Sequence, residues 1–114
     1  MKLAYVAGPY RDPRGPHFIH MKIEAARAIA VQLWCLGFAV ICPHLNTAFL
    51  DGACPDDVWL AGDLVMLRRC DLVVMVPGWE RSVGATAERD EALSRNIPVV
   101  EGVEDARAWL ARSN

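Results

Sequence analysis

The sequence predicts a doubly wound α/β domain, in which helices cover both faces of a parallel sheet of about four or five strands. The first observation is the order of the elements, because apolar strand-like runs alternate with segments of helical period as β-α-β-α-β-α-β-α. The second is that each strand-like run is apolar throughout, as a sheet covered on both faces requires. The third is the length, since 114 residues form one domain, 1–114. These observations favour a Rossmann-like or flavodoxin-like three-layer α/β/α architecture.

The first half of the chain predicts two strands on either side of a long helix. Residues 3–7 are an apolar run that reads as a buried strand. Residues 16–36 carry apolar side chains at spacings of 4, 3, 4 and 3, which predicts a helix. Gly37 is placed to end that helix, and residues 38–42 form the second strand before Pro43.

The second half repeats the alternation after a loop. Leucines recur at spacings of 4 and 3 in the first helix of this half, and two aspartates stand at its start. The predicted elements are a loop at 44–55, a helix beginning at Asp56 and Asp57, a strand at 71–76, a helix at 84–95, a strand at 97–100 and a short helix at 105–111.

Composition excludes several classes of function. Apolar residues make up 54% of the chain and charged residues 23%, so the protein is folded rather than disordered. The net charge of −2 gives no electrostatic basis for binding nucleic acid or an anionic membrane. No apolar run approaches the roughly 20 residues of a membrane span, and the first residues do not resemble a signal peptide. We therefore expect a cytoplasmic protein with neither a nucleic-acid nor a membrane partner.

The four cysteines do not predict a metal site. Cys35, Cys42, Cys54 and Cys70 contain no C-x-x-C pair, whereas zinc sites usually need closely spaced pairs. Cys35, Cys42 and Cys70 have apolar neighbours and are interpreted as small buried side chains of a reduced protein. We expect neither a metal nor a cofactor.

In doubly wound folds the ligand lies beyond the carboxyl ends of the strands. This rule selects segments 8–15, 43–56 and 77–86. Gly8 permits a close backbone approach and Arg11 can bind phosphate or carboxylate, although a glycine after a strand is also an ordinary turn. In the third segment, Ser82 and Gly84 begin a helix whose N–H groups and dipole favour an anion.

Two carboxylates are candidates for chemistry. Glu88 shares a helical stripe with Ala85 and Ala92, and these small neighbours predict room for a ligand against the helix. The alternative is a glutamate that faces solvent in the first turns. Asp63 lies among leucines at the border of an apolar helix face, and the alternative is a boundary aspartate without a function.

Three further side chains occupy the same end of the predicted sheet. The hydroxyl of Tyr5 can reach the site from the first strand, and His44 follows the second strand by two residues. Trp79 either stacks on a base or covers the sheet. Two acids, a tyrosine and an anion-binding helix start together suggest a reaction at a sugar carbon.

Four motifs of the chain are Y-V-A-G-P-Y-R (5–11), P-H (43–44), D-L-V-M-L-R-R-C-D-L-V-V (63–74) and S-V-G-A-T-A-E-R-D-E-A (82–92). With these motifs the chain resembles a known family, the nucleoside 2-deoxyribosyltransferase superfamily, which includes the 2′-deoxynucleoside 5′-phosphate N-hydrolases. The motifs span most of residues 3–100, and the chain is similar to a small branch of the superfamily.

The resemblance implies roles for individual residues. It implies that Glu88 is the nucleophile at the anomeric carbon, that Tyr5 orients it and that Asp63 assists departure of the base. The remaining matches are Gly8, Arg11 and Ser82 around the 5′-phosphate and His44 on the pocket wall. The resemblance thus implies cleavage of the N-glycosidic bond of a (deoxy)nucleoside or its 5′-monophosphate, with no cofactor.

The motifs do not decide which molecule accepts the sugar, because they are similar to two different branches of the family. Gly8-Pro9-Tyr10 is similar to the transferase branch, whereas Ser82 is similar to the hydrolase branch. We expect transfer to water; the alternatives are transfer to a second base, or a domain that binds a nucleotide or nucleotide-sugar without turnover. We also expect at least a homodimer, because so short a chain covers both faces of a sheet with difficulty and because the resemblance implies a site near a subunit interface.

Overall fold

The computed structural model describes residues 1–113 and contains one four-stranded sheet in which every strand pair is parallel. The spatial order is β2-β1-β3-β4, so β1 and β3 form the centre. The strands are β1 (Leu3–Ala7), β2 (Ala39–Ile41), β3 (Leu72–Met75) and β4 (Val99–Glu101). The predicted α/β fold with a parallel sheet is confirmed.

Helices connect all the strands. They are α1 (Pro16–Leu36), α2 (Pro43–Asn46), α3 (Asp56–Leu67), α4 (Val83–Ser94) and α5 (Gly102–Arg112), with one 3-10 turn at Trp79–Arg81. None of the helices described is both long enough and apolar enough to cross a membrane.

The first two elements have the bounds that the sequence predicts. The helix α1 ends at Gly37, which adopts φ 104°. The N–H of Gly37 binds the carbonyl of Trp34 and the N–H of Phe38 binds that of Leu33, both at 3.1 Å. This left-handed C-terminal cap explains why the glycine marks the helix end so clearly in the sequence.

Other boundaries differ from the prediction. The predicted loop at 44–55 begins instead with α2, which Pro43 starts because its missing N–H is not needed in a first turn. Ile97 lies in the turn that follows α4, where its N–H binds the carbonyl of Ala92 at 2.9 Å and Asn96 turns the chain at φ 59°. The last strand therefore begins at Val99, two residues after the predicted start, and α5 begins at Gly102.

Alternate residues of the strands pack into two separate cores. On one face, strand residues such as Ala4 and Val6 pack with α1 and α5. On the other face, Tyr5 and Ala7 pack with side chains from α3 and α4, among them Leu67. The period of two along β1 therefore directs Tyr5 towards the helices that carry Asp63 and Glu88.

The cysteines are all free thiols. Cys42 and Cys70 are buried, as predicted, whereas Cys35 and Cys54 are exposed. The prediction of a buried Cys35 is wrong because this position of α1 faces solvent, although its neighbours in sequence are apolar.

Candidate functional site

The candidate site forms where β1 and β3 end side by side. Val6 pairs with Val74 and Ala7 with Met75, so the loops that follow Ala7 and Met75 leave the sheet together. The loop after Met75 leads into α4, which crosses the same face of the sheet as Tyr5.

The centre of the site is a hydrogen bond between a strand and a helix. The hydroxyl of Tyr5 donates to Oε2 of Glu88. Tyr5 is fully buried, and burial together with the negative charge of Glu88 raises the pKa of its phenol far above the usual value. Tyr5 therefore remains a protonated donor at any physiological pH.

Both carboxyl groups of the site, those of Glu88 and Asp63, have raised pKa values. Burial raises the pKa of Glu88 to about 7, the nearby charge of Asp63 raises it as well, and the hydrogen bond from Tyr5 opposes both effects. Burial raises the pKa of Asp63 to about 6. Both groups therefore titrate close to neutral pH, and the charge of Asp63 acts on Glu88.

The two alanines of the Glu88 stripe have a different role from the predicted one. Ala85 and Ala92 are 1% and 0% exposed and pack in the core with Tyr5. The prediction that they leave room for a ligand is wrong. Their small side chains instead allow α4 to lie close to the sheet, which brings Glu88 to the phenol.

Ser82 and Gly84 stand at the start of α4, as predicted. The Ser82 hydroxyl accepts a hydrogen bond from the N–H of Ala85 at 3.1 Å, so Ser82 is the N-cap of the helix. Within residues 1–113, the N–H groups of Val83 and Gly84 have no hydrogen-bond partner. A Cβ built at Gly84 meets no atom within 4 Å, so the space in front of this helix start is open.

Gly8 has a packing reason to be glycine. It is buried at the end of β1, and a Cβ at this position would lie 2.6 Å from Cγ2 and 2.7 Å from Cβ of Val76. Because Val76 is a rigid β-branched residue, any larger side chain at position 8 forces the two strand ends apart.

Arg11 lies at the rim of the site rather than inside it. Its guanidinium forms an ion pair with Asp56 at the start of α3, and both side chains are exposed. The carbonyl of Arg11 accepts a hydrogen bond from Lys22 at 2.8 Å, which fixes the loop to α1. The pair links the loop after β1 to the helix that carries Asp63.

Asp12 is a loop residue that the sequence analysis missed. Its carboxylate is buried and accepts hydrogen bonds from the backbone N–H and the guanidinium of Arg14, and it also pairs with Lys22 at 3.2 Å. The Arg14 hydrogen bonds hold the pKa of Asp12 well below its usual range. The turn-forming run D-P-R-G at 12–15 was the available signal.

His44 is buried on the wall formed by α2. Its Nε2 lies 2.8 Å from the carbonyl oxygen of Pro9, and its Nδ1 is buried without a partner among the residues described. Burial lowers the pKa of His44, so the ring is neutral. Because Nε2 must donate to a carbonyl, Nδ1 is a free acceptor.

Tyr10 ties the loops around His44 together. Its ring centroid lies 5.5 Å from that of His44, and its hydroxyl donates to Asp51 at 3.0 Å. The sequence analysis assigned no role to either Tyr10 or Asp51. Their contact closes the loop after β2 onto the loop after β1.

Trp79 covers the sheet, which is one of its two predicted roles. It packs against the core around Tyr5, and the guanidinium of Arg89 lies 5.1 Å from its ring centroid. Trp79 also lines a cleft of about 400 Å³ between α4 and α5 that contains neither Tyr5, Asp63 nor Glu88. The ring is therefore separate from the paired acids.

Comparisons with known proteins agree with this architecture. A family model described as "Domain of unknown function (DUF4406)" matches residues 2–101. Among solved structures, a 2-deoxyribosyltransferase from Bacillus psychrosaccharolyticus superposes with a TM-score of 0.63 at 16% sequence identity, covering 87% of this chain and 70% of that chain. No curated protein matches the sequence.

The likeness in structure concerns the fold. At this identity, the superposition confirms that the chain is similar to the nucleoside 2-deoxyribosyltransferase superfamily in its flavodoxin-like arrangement of strands and helices. The chemistry of the chain depends on the side chains of the site.

Proposed function

We propose that this chain, which belongs to the DUF4406 family, cleaves the N-glycosidic bond of a nucleoside or nucleoside 5′-monophosphate. The observation that carries the proposal is the hydrogen bond from Tyr5 to Glu88, with Asp63 close to the same carboxylate. A buried carboxylate held by one oxygen leaves its other oxygen available to attack carbon. The 2-deoxyribosyltransferase with a similar fold supports a nucleoside as the substrate class.

In the first step Glu88 is the nucleophile. Its Oε1 attacks the anomeric carbon while Oε2 stays bound to the Tyr5 hydroxyl, and the bond from that carbon to the base nitrogen breaks. The electron pair of the broken bond goes to the base. Asp63, whose pKa is raised by burial, delivers the proton that neutralises the leaving base.

In the second step water releases the sugar. The Asp63 carboxylate takes a proton from the water, whose oxygen attacks the anomeric carbon of the glycosyl ester. The bond between that carbon and Glu88 breaks, and the electron pair returns to Glu88. Both acids thereby recover the protonation states that they had before the first step.

The start of α4 is the proposed site of the 5′-phosphate. The free N–H groups of Val83 and Gly84, the positive end of the helix dipole and the hydroxyl of Ser82 all favour an anion. Arg11 would join from the rim, sharing its guanidinium between the phosphate and Asp56. Gly8 allows the backbone after β1 to approach the same group.

His44 lies on the pocket wall and provides a hydrogen-bond acceptor. The free lone pair on its Nδ1 accepts an N–H or O–H from the substrate and cannot donate. Occupation of this acceptor by the substrate would remove the cost of leaving it unpaired in a buried place.

Transfer of the sugar to a second base is the alternative reaction, favoured by Gly8-Pro9-Tyr10. The test is a panel of nucleosides and 5′-monophosphates incubated with and without a free acceptor base, with the products separated by chromatography. Free base and sugar support hydrolysis, and a new nucleoside supports transfer. If every substrate binds but none is cleaved, the domain is a binding module and the proposed reaction is wrong.

Four expectations of the sequence analysis remain predictions. They are the cytoplasmic location, the independence from cofactors, the absence of nucleic-acid and membrane partners, and an assembly of at least two copies. Activity after exhaustive dialysis against a chelator tests the second of these.

A further inference from the structure

The cleft of about 400 Å³ between α4 and α5 lies at the β4 edge of the sheet. The helix α4 packs on the face of the sheet that carries Tyr5, whereas α5 packs on the opposite face. A space that both helices line must lie beyond the last strand, because elsewhere the sheet separates them. We call this space the edge cleft. Its apolar surface comes from strand residues and from both helices, namely Met75, Leu93, Val99, Val100 and Ala108.

The strand β4 has free main-chain groups in this cleft. Within residues 1–113, β4 pairs only with β3, so its other edge has no neighbouring strand. The N–H of Val73 binds the carbonyl of Pro98 at 2.9 Å, and in a parallel ladder the bonds use every second residue of the partner strand. Val99 and Glu101 therefore direct their N–H groups to the free edge. Unpaired groups of this kind are a template for another extended chain.

The edge cleft also contains an unpaired side-chain donor. The indole N–H of Trp79 is buried and has no hydrogen-bond partner among residues 1–113. Arg89 lines the same wall, with its guanidinium 5.1 Å from the centre of the Trp79 ring and 3.8 Å from the carboxylate of Asp90. A ligand that brings carbonyl oxygens to this wall removes the cost of leaving the indole N–H unpaired.

Charges of opposite sign stand at the two ends of the cleft. Because α5 follows β4 directly and runs back along the sheet, it begins beside Glu101 and ends beyond Val99. Asp105 and Arg112 line the cleft from α5, and the helix between them places their backbones about 10 Å apart along its axis. Within residues 1–113, Glu101, Asp105 and Arg112 form no ion pair.

We propose that the edge cleft binds an extended peptide segment of another protein, which adds a strand to the sheet antiparallel to β4. The charges give the direction. The segment carries a basic group towards its amino end, beside Glu101 and Asp105, and a carboxylate towards its carboxyl end, beside Arg112. Since a strand rises about 3.4 Å per residue, about three residues separate these two charges. Its main chain pairs with Val99 and Glu101, and its side chains pack alternately on α4 and α5.

The walls of the cleft favour a peptide over a second copy of this chain. The free edge of β4 lies at the floor, between α4 and α5. In a second copy the same edge lies at the floor of an identical cleft, so the helices of the two copies meet before the edges come within the roughly 4.8 Å of paired strands. A single extended segment has no such walls and can enter.

The first experiment is isothermal titration calorimetry with two synthetic pentapeptides. One has an acetylated lysine at its start, a free carboxylate at its end and valine and threonine between them. The other has an acetylated glutamate at its start and an amidated lysine at its end. We expect the first peptide to bind about tenfold more tightly, because only its charges match both ends of the cleft. The proposal is wrong if neither peptide binds at up to about 1 mM, or if both bind equally.

N-methylated forms of the first peptide test for main-chain pairing. In an antiparallel pair, alternate residues direct their N–H groups to the neighbouring strand and the others direct theirs away from it. N-methylation of one alternate set should weaken binding by about tenfold, and N-methylation of the other set should have little effect. Equal losses for both sets would exclude an added strand.

A charge exchange in the protein tests the direction of the peptide. The double variant Asp105→Lys and Arg112→Glu should prefer the second peptide. The matched control exchanges Glu104 and Arg107, which form an ion pair of 3.4 Å on α5 and do not line the cleft. This control should keep the wild-type preference, and circular dichroism establishes that both variants are folded. A folded cleft variant that still prefers the first peptide would overturn the proposal.

Sedimentation equilibrium with and without the first peptide identifies the natural occupant. The number of chains in the assembly should stay the same when the peptide binds. A dimer that dissociates on peptide binding would show that a second copy covers β4, which overturns the assignment to another protein. The inference does not rest on the proposed reaction, and none of these measurements depends on catalysis.

Discussion

Tyr5 and Glu88 are 83 residues apart in the sequence, yet the phenol of one donates a hydrogen bond to the carboxylate of the other. The bond opposes the burial that raises the pKa of Glu88. It therefore favours the ionised carboxylate, which is the form that a nucleophile needs.

Removal of the phenol hydroxyl should weaken the proposed nucleophile without dismantling the core. We expect Tyr5→Phe to lower kcat/KM for base release by about ten- to a hundredfold, since a hydrogen bond to a charged group contributes roughly 1.5–3 kcal/mol. The pKa of Glu88 should rise further. As the pH is lowered, the rate of base release should therefore begin to fall at a higher pH than in the wild type. The measurement is the pH dependence of base release. An unchanged rate and profile would show that the hydroxyl has no part in the reaction.

A covalent intermediate on Glu88 is the central prediction of the proposed mechanism. A 2-fluoro-2-deoxy nucleoside should slow its breakdown, so intact-protein mass spectrometry should detect one added sugar that maps to Glu88. Glu88→Gln should form no adduct and should lose on the order of 10³-fold or more in kcat. Rapid base release with no adduct would indicate direct attack by water, with Glu88 as a general base.

The rate of base release should depend on pH as a bell. The reactive form of the pair holds one proton, with Glu88 ionised and Asp63 protonated. The rate should fall as pH decreases below about 6, where the pair binds a second proton, and should fall as pH rises above about 7, where the pair loses its last proton. The maximum should lie between these values, where the pair holds one proton.

The Asp63→Asn variant tests that assignment. It should lose the alkaline limb and keep the acidic limb, which then reports the titration of Glu88 alone, because Asp63 is already neutral on the acidic limb of the wild type. An alkaline limb that persists in this variant would exclude Asp63 as the acid.

The buried carboxylate of Glu88 should lower the free energy of unfolding at high pH. The folded pKa of Glu88, about 7, lies above its ordinary 4.5, so the folded state binds more protons between these values and stability decreases as pH rises through them. We expect Glu88→Gln to raise the free energy of unfolding above pH 7 by up to roughly 3 kcal/mol. Below pH 4.5 the difference should largely vanish. Urea unfolding at both pH extremes measures this, and an equal difference at both would contradict it.

Two glycines of the site should respond to alanine in opposite ways. Gly8→Ala should destabilise the fold by about 1–3 kcal/mol, because the new Cβ overlaps Val76. Gly84→Ala should leave stability nearly unchanged, because nothing lies near its Cβ, but should weaken binding of a 5′-monophosphate more than that of the nucleoside. Thermal unfolding and titration calorimetry separate the two effects. Equal losses of affinity for both ligands would place the phosphate elsewhere.

The sequence predicted the elements best where a special backbone residue ended them. Gly37 and the apolar runs marked β1 and α1 to the residue, whereas α2 has four residues and is too short to show a helical period. The last strand was placed two residues early because Ile97 and Pro98 are apolar, although the N–H of Ile97 is used by the end of α4.

Parts of the site depended on contacts that no local pattern contains. The alternation along β1 directed Tyr5 to the face that carries Glu88, and this could be anticipated. The clash that makes Gly8 necessary comes from Val76, directly after β3, and the packing of Ala85 depends on how closely α4 approaches the sheet. The ion pair between Lys22 and the Asp12 carboxylate likewise forms only in the folded loop, so no local pattern predicts it.

Tyr5 and Glu88 both belong to regular elements of the fold, whereas the segments around the site are loops. One partner belongs to a central strand with neighbours on both sides, and the other belongs to a twelve-residue helix packed on the same sheet. Insertions or exchanges within residues 9–15 and 47–55, which leave Gly8 and α2 unchanged, would therefore leave the reactive pair where it is. A laboratory evolution experiment that seeks a new base or acceptor can diversify these loops and keep the strand and the helix constant.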